Sequence, residues 1–164
     1  GKILTARDAA HKKLKELADN NQPLPDGLDL KNRFIYYVGP VDPVGNEVVG
    51  PAGPTTSTRM DKYSSLMLED YGVIGMIGKA ERGKEALESI KKNKAVYLIA
   101  VGGSAYLISQ AIKSSKLIAF PELGMEAIYE FEVKNMPVTL AANTNGESLH
   151  EEGVRKWNAV LMKD

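Results

Sequence analysis

Apolar positions recur along these 164 residues at two periods, and the switching between them predicts the elements. Ala9, Ala10, Leu14, Leu17 and Ala18 supply one helical face. Thr5 and Asp8 precede it with capping-box spacing, so a first helix is expected from Thr5 to about Ala18. Residues 19–29, with Pro23, Pro25 and Gly27, read as a loop. Phe34 to Val38 is aromatic and β-branched, which predicts a strand. Gly39 to Pro54 holds four glycines and four prolines, a density that excludes a long helix and predicts an ordered, strained loop. Long loops in compact domains are often functional. A helix is expected from about Ser57 to Asp70, with Tyr63, Leu66 and Met67 inward and Gly72 ending it.

The pattern then alternates. Val73 to Ile77 reads as a short buried strand, and Glu81 to Lys92 as an amphipathic helix on Ala86, Leu87 and Ile90. Ala95 to Val101 is nearly all apolar, as in a sheet covered on both faces. Gly102-Gly103 turns into a helix ending near Ile112. Leu117 to Phe120, Ala127 to Val133 and Val138 to Ala142 read as strands, the second half-exposed. Ser148 is placed to cap a last helix carrying Val154, Trp157 and Leu161. Strands alternating with helices make the class α/β, with mixed strand direction. The length suits one domain, residues 1–164, and no internal repeat interrupts it.

Charge narrows the partners. Twenty-one basic and twenty-one acidic residues cancel, which argues against nucleic acid as an electrostatic partner. No stretch approaches the roughly 18 apolar residues of a membrane helix. No signal peptide is visible, although Gly1 suggests a trimmed or engineered start, and a cytoplasmic location is the default expectation. The absence of cysteine excludes disulfides, thiolate nucleophiles and thiolate metal ligands within these residues.

The densest candidate chemistry is Gly50-Pro51-Ala52-Gly53-Pro54-Thr55-Thr56-Ser57-Thr58-Arg59-Met60-Asp61. A Gly/Pro loop delivers four hydroxyl residues, then an arginine, at a helix start. Thr56, Ser57 and Thr58 are N-cap candidates, and the opening turn of a helix suits an anion. With a helix starting near Thr56, Thr55 and Arg59 can reach one small acidic ligand. Arg7 is expected in the first turn of the first helix, where it opposes the dipole, so a carboxylate partner is suspected. His11, one turn on, is read as packing. Lys79 follows an apolar strand, where α/β sheets gather ligands; on position alone it reads rather as an exposed lysine heading a charged stretch with Glu81, Arg82 and Lys84. Gly102-Gly103-Ser104 lacks the spacing of a phosphate loop and reads as close strand–helix packing.

These segments resemble a known family. Gly50 to Asp61 resembles the signature of the C-terminal domain, or β subunit, of class I fumarases and L-tartrate dehydratases. Thr5-Ala6-Arg7-Asp8-Ala9-Ala10-His11-Lys12, Met76-Ile77-Gly78-Lys79, residues 101–107 and residues 122–128 are similar to further family segments, in order. The resemblance implies a swivelling β/β/α domain with a mixed sheet. It implies substrate contacts at Arg7, Thr55, Arg59 and Lys79, with Thr56 beside them, and a proton-transfer role for Thr55. It also implies a [4Fe–4S] cluster with an open iron. A chain without cysteine cannot ligate that cluster conventionally, so the expected cluster holder is a separate α subunit in a hetero-oligomer. The expected activity is reversible hydration of fumarate to L-malate. Alternatives are an L-tartrate dehydratase β subunit, a non-catalytic dicarboxylate-binding module, and a purely structural subunit.

Overall fold

The computed structural model describes residues 1–162. Seven strands form one mixed sheet in the order β5-β6-β1-β2-β3-β4-β7. Its centre is four parallel strands in chain order: β1 (Lys2–Thr5), β2 (Phe34–Tyr36), β3 (Gly75–Gly78) and β4 (Val96–Ile99). Three antiparallel strands flank them. β5 (Ile112–Ala119) pairs with β6 (Ile128–Val133), β6 pairs with β1, and β7 (Thr139–Ala142) pairs with β4. The α/β class with mixed strand direction is therefore what the chain forms.

Alternation along the strands divides the core into two layers. Leu4, Ile35, Tyr37, Met76 and Tyr97 pack with helices α1 (Asp8–Asp19) and α2 (Lys84–Lys92) and with the helical run after Thr56. Ile3, Tyr36, Val38 and Ile77 pack on the opposite face with α3 (Ala105–Ala111) and with Val49 and Ala52 of the Gly/Pro loop. Strands buried on both faces lose the polar alternation of a one-sided sheet. That explains the near-continuous apolar reading of β4.

Several expectations are corrected. Thr5 does not open a helix. It ends β1, fully buried, and its hydroxyl accepts the Tyr129 amide at 2.9 Å while facing the Ala127 carbonyl at 3.3 Å. α1 begins only at Asp8. The expected helix over Ser57–Asp70 is not α throughout. It is 3₁₀ over Ser57–Tyr63 and π over Leu66–Asp70. In a 3₁₀ turn residues three apart align, so Ser57, Met60 and Tyr63 all face the core while Arg59 faces out. The expected strand at Leu117 starts earlier, at Ile112. Within the Gly/Pro loop only Gly45 takes a left-handed φ; the non-glycine residues that do so lie outside it, among them Ala80 and Phe120. The loop is ordered by bonds between its two arms, Val41 N–H to Pro51 O and Gly50 N–H to Val41 O. Finally, α4 (Leu149–Leu161) follows Ser148 as expected, but Ser148 makes no side-chain cap. Its apolar stripe, Val154, Trp157 (69% exposed) and Leu161, faces solvent.

Candidate functional site

Parallel strands end on the same side of a sheet, so the residues that follow them become neighbours. Arg7 follows β1, Gly39 follows β2, Lys79 follows β3, and Gly102-Gly103 follows β4. The Gly/Pro loop leaves β2, crosses the far face and returns to this edge. There Thr55 donates its amide to Tyr37 O at 2.7 Å, and Lys79 donates its amide to Thr55 O at 3.2 Å. Thr56 and Lys79 form an isolated parallel bridge, and Ser57 donates its amide to Lys79 O at 3.0 Å. Thr55-Thr56 is thus a short extended insert between the ends of β2 and β3. Thr56 occupies the N-cap position, yet its side chain makes no capping bond. The hydroxyl run therefore does not serve the capping role expected of it. Among the described residues, Lys79 makes no ion pair.

Arg7 sits just before α1, in extended backbone (φ −115°), rather than in its first turn. Its side chain lies across the backbone of Gly39, where an added Cβ would meet Arg7 Nη1 at 2.9 Å. Both expected arginines already hold carboxylates of this chain. Arg7 Nη2 is 3.3 Å from Glu126 Oε1, and Arg7 Nε is 3.8 Å from Asp8. Arg59 grips Asp8 with two parallel bonds, Nε at 3.0 Å and Nη2 at 2.8 Å. That hydrogen bond from Arg59 is the main reason the Asp8 carboxyl is held below the usual aspartate range. Glu126 also accepts the Ala9 amide at 2.8 Å, which satisfies a free donor at the start of α1 from outside the helix. Asp8 thereby links the two arginines, and Arg7 Nε is left buried without a hydrogen-bond partner.

His11 packs, as its sequence position suggested. Its Nδ1 donates to Arg7 O at 2.8 Å, and its ring stacks on Tyr63 and meets Tyr37 edge-on. Full burial pushes its pKa down to about 4, so the ring is neutral. Ser104 donates its hydroxyl to Val101 O at 2.7 Å, and Gly102 lies against the Lys79 stem.

Arg82 was invisible as a special residue in the sequence, where its neighbours Glu81 and Lys84 suggest a solvated stretch. It is 5% exposed, and its Nε donates to Asp61.

The site resembles an anion-binding edge. Thr55, Thr56 and Lys79 stand on backbone that meets where the parallel strands end, Arg7 follows the neighbouring strand, and Arg7 and Arg59 share the Asp8 carboxylate. The chain is similar in sequence to known proteins. Fumarate hydratase 2 of Leishmania major is 37% identical over 153 residues, 93% of this chain and 27% of that protein. Fumarate hydratase class I, anaerobic, of Escherichia coli K12 is 38% identical over 164 residues, 99% of this chain and 30% of that protein. The chain therefore spans less than a third of these fumarate hydratases. A Methanocaldococcus jannaschii protein provisionally named L(+)-tartrate dehydratase subunit beta is 38% identical over 161 residues, 95% of this chain and 82% of that protein. Both names denote enzymes that add or remove water. Residues 1–153 match the family described as Fumarase C-terminus, and the chain belongs to that family.

Proposed function

We propose that residues 1–164 act as one domain, the β subunit of an iron–sulfur hydro-lyase that reversibly hydrates fumarate to L-malate. The observation that carries this reading is the shared edge. Arg7, Thr55 and Lys79 follow or join the ends of three adjacent parallel strands, and Asp8 ties Arg59 to Arg7. A C4 dicarboxylate has two negative ends, and a guanidinium fork matches a carboxylate in two-point geometry. Arg7 and Arg59 clamp those ends by displacing Glu126 and Asp8, which hold the same groups without substrate. Thr56 contacts the bound carboxylate beside them. Lys79 offsets the extra charge that develops when the carbon next to a carboxylate loses its proton. In dehydration Thr55 takes that proton as its alkoxide and becomes the hydroxyl, and in hydration the hydroxyl returns it to carbon. A threonine hydroxyl is a poor base unaided, so a neighbouring cation has to favour its alkoxide; that role goes to Lys79, whose amide bonds the Thr55 carbonyl and whose bridge partner is Thr56.

Hydroxyl departure calls for a Lewis acid, in this reading a [4Fe–4S] cluster. These residues do not fit it. The sequence has no cysteine, and no group of three or more His, Asp or Glu able to hold a metal occurs among the described residues. In this reading an α subunit holds the cluster. A second reading, an L-tartrate dehydratase β subunit, is favoured by the Methanocaldococcus relative, most of whose length this chain covers. Tartrate adds one hydroxyl to malate, and both readings use the same clamps. The deciding experiment is anaerobic co-purification with a cysteine-bearing α subunit, followed by assays on fumarate, malate and tartrate. Turnover of fumarate and malate supports the first reading, and turnover of tartrate alone supports the second. Dicarboxylate binding without turnover in a cluster-loaded complex would leave a binding module.

A further inference from the structure

A buried cation is costly to keep, and an apolar replacement of similar volume is often neutral or stabilising. Arg82 therefore calls for a reason. Its Nε donates to Asp61, its Nη2 to Ser64 at 2.9 Å, and its guanidinium lies over the rings of Tyr37 and Tyr97 at 5.5 and 5.1 Å. Three of these contacts, those to Asp61, Tyr37 and Tyr97, lead to the edge where the parallel strands end. Asp61 lies two residues beyond Arg59 on the 3₁₀ turn, and its second oxygen accepts the Gly83 amide at 2.7 Å. The Tyr97 phenol oxygen is 2.8 Å from both Ala80 O and Ser57 Oγ. A carbonyl only accepts, so the phenol proton goes to Ala80 O and the Ser57 hydroxyl donates to the phenol. Ala80, left-handed at φ +64°, directly follows Lys79, and Ser57 donates its amide to Lys79 O. Tyr37 meets the ring of His11, which holds Arg7 O.

We propose that Arg82 is a positioning residue that fixes Lys79 and the Thr55–Arg59 turn relative to each other. Its planar fork reaches Asp61 and Ser64 while its face covers both tyrosines; a lysine point charge can satisfy one of these at a time. The kinetic part of this inference rests on the function proposed above, but the structural part does not. The test uses R82K and Y97F in the complete enzyme. Y97F keeps Arg82, Asp61 and the ring packing and deletes only the phenol bonds. In both variants the Ser57 and Lys79 amides are expected to exchange about tenfold faster, while the β1–β6 ladder stays within about twofold of wild type. Per folded site, kcat should fall about tenfold with KM within about threefold, because charge stabilisation and proton transfer act in the transition state. Unchanged exchange at Ser57 and Lys79 in the folded variants would overturn the proposal. So would faster exchange spread evenly over the sheet, which would mark a general stabilising role. A wild-type enzyme inactive on fumarate and tartrate would remove the functional reading alone, and the exchange result would still decide the role of Arg82.

Discussion

Thr55 is held by backbone on both sides, its amide on Tyr37 and its carbonyl under the Lys79 amide. Its side chain can therefore be changed without unpinning the segment. If the hydroxyl moves a proton, Thr55→Val should nearly abolish turnover, since valine keeps the shape and loses the oxygen. Thr55→Ser should retain measurable activity, reduced by its looser rotamer. The check is the exchange of the malate C3 proton with solvent, and a valine variant exchanging at the wild-type rate would reassign the proton to another group. His11 makes a prediction about pH. Its pKa is about 4 when folded against 6.5 for a free histidine. Between these values the unfolded chain binds a proton that the native ring refuses, so stability falls as pH drops through that window and is unaffected above it. By about pH 5 the loss is about 2 kcal/mol, or roughly 4–8 °C in Tm. Melting curves of wild type and His11→Phe at about pH 7.5 and about pH 5 check it, and the phenylalanine variant should lose this part of the slope.

At the scale of elements, the strand after Tyr71 shows what local sequence can and cannot announce. In the sequence Gly78 only closes an apolar strand ahead of Lys79. The structure gives it a harder duty, since a Cβ there would sit 1.9 Å from Ser57 Oγ, which is buried and bonded to Tyr97. Gly78→Ala is therefore expected to cost about 1–3 kcal/mol by overpacking and to shift Lys79, with a parallel loss of activity. A variant with wild-type Tm and kinetics would mean that the 3₁₀ turn yields freely. Much of the site was legible. Thr55 and Lys79 stand next to a glycine–proline turn and a strand signal, and such punctuation is local, whereas Arg7 carried no such mark because the strand before it was hidden. The rest depended on distance in space. β1 escaped notice because Lys2–Thr5 is four residues long, and the buried hydroxyl of Thr5 mimics a cap. The 3₁₀ and π pitch escaped because Met60, Tyr63 and Met67 fit a helical stripe at any of these pitches. Arg82 escaped because its surroundings are charged in sequence and aromatic only in space.

For the whole molecule, the division of labour proposed above has a direct consequence. The purified chain by itself should be colourless, free of stoichiometric iron and unable to turn over malate. Iron analysis and a hydratase assay check this, and either bound iron or activity from the chain alone would defeat the two-subunit reading. The sheet order carries a separate consequence, for biosynthesis. Of these strands β1 is made first, yet its outer neighbour β6 pairs Lys2 with Glu132, and β4 waits likewise for β7. At roughly 5–20 residues per second, the nascent chain spends a few seconds with the four parallel strands made and both of their outer edges unsatisfied. Open edges recruit strands from other molecules. A fragment ending at Ala111 should therefore sediment as aggregates while the full chain does not. The last-made strands act as a pair of shutters, and cells crowded with translating ribosomes would have reason to keep a chaperone waiting at that point.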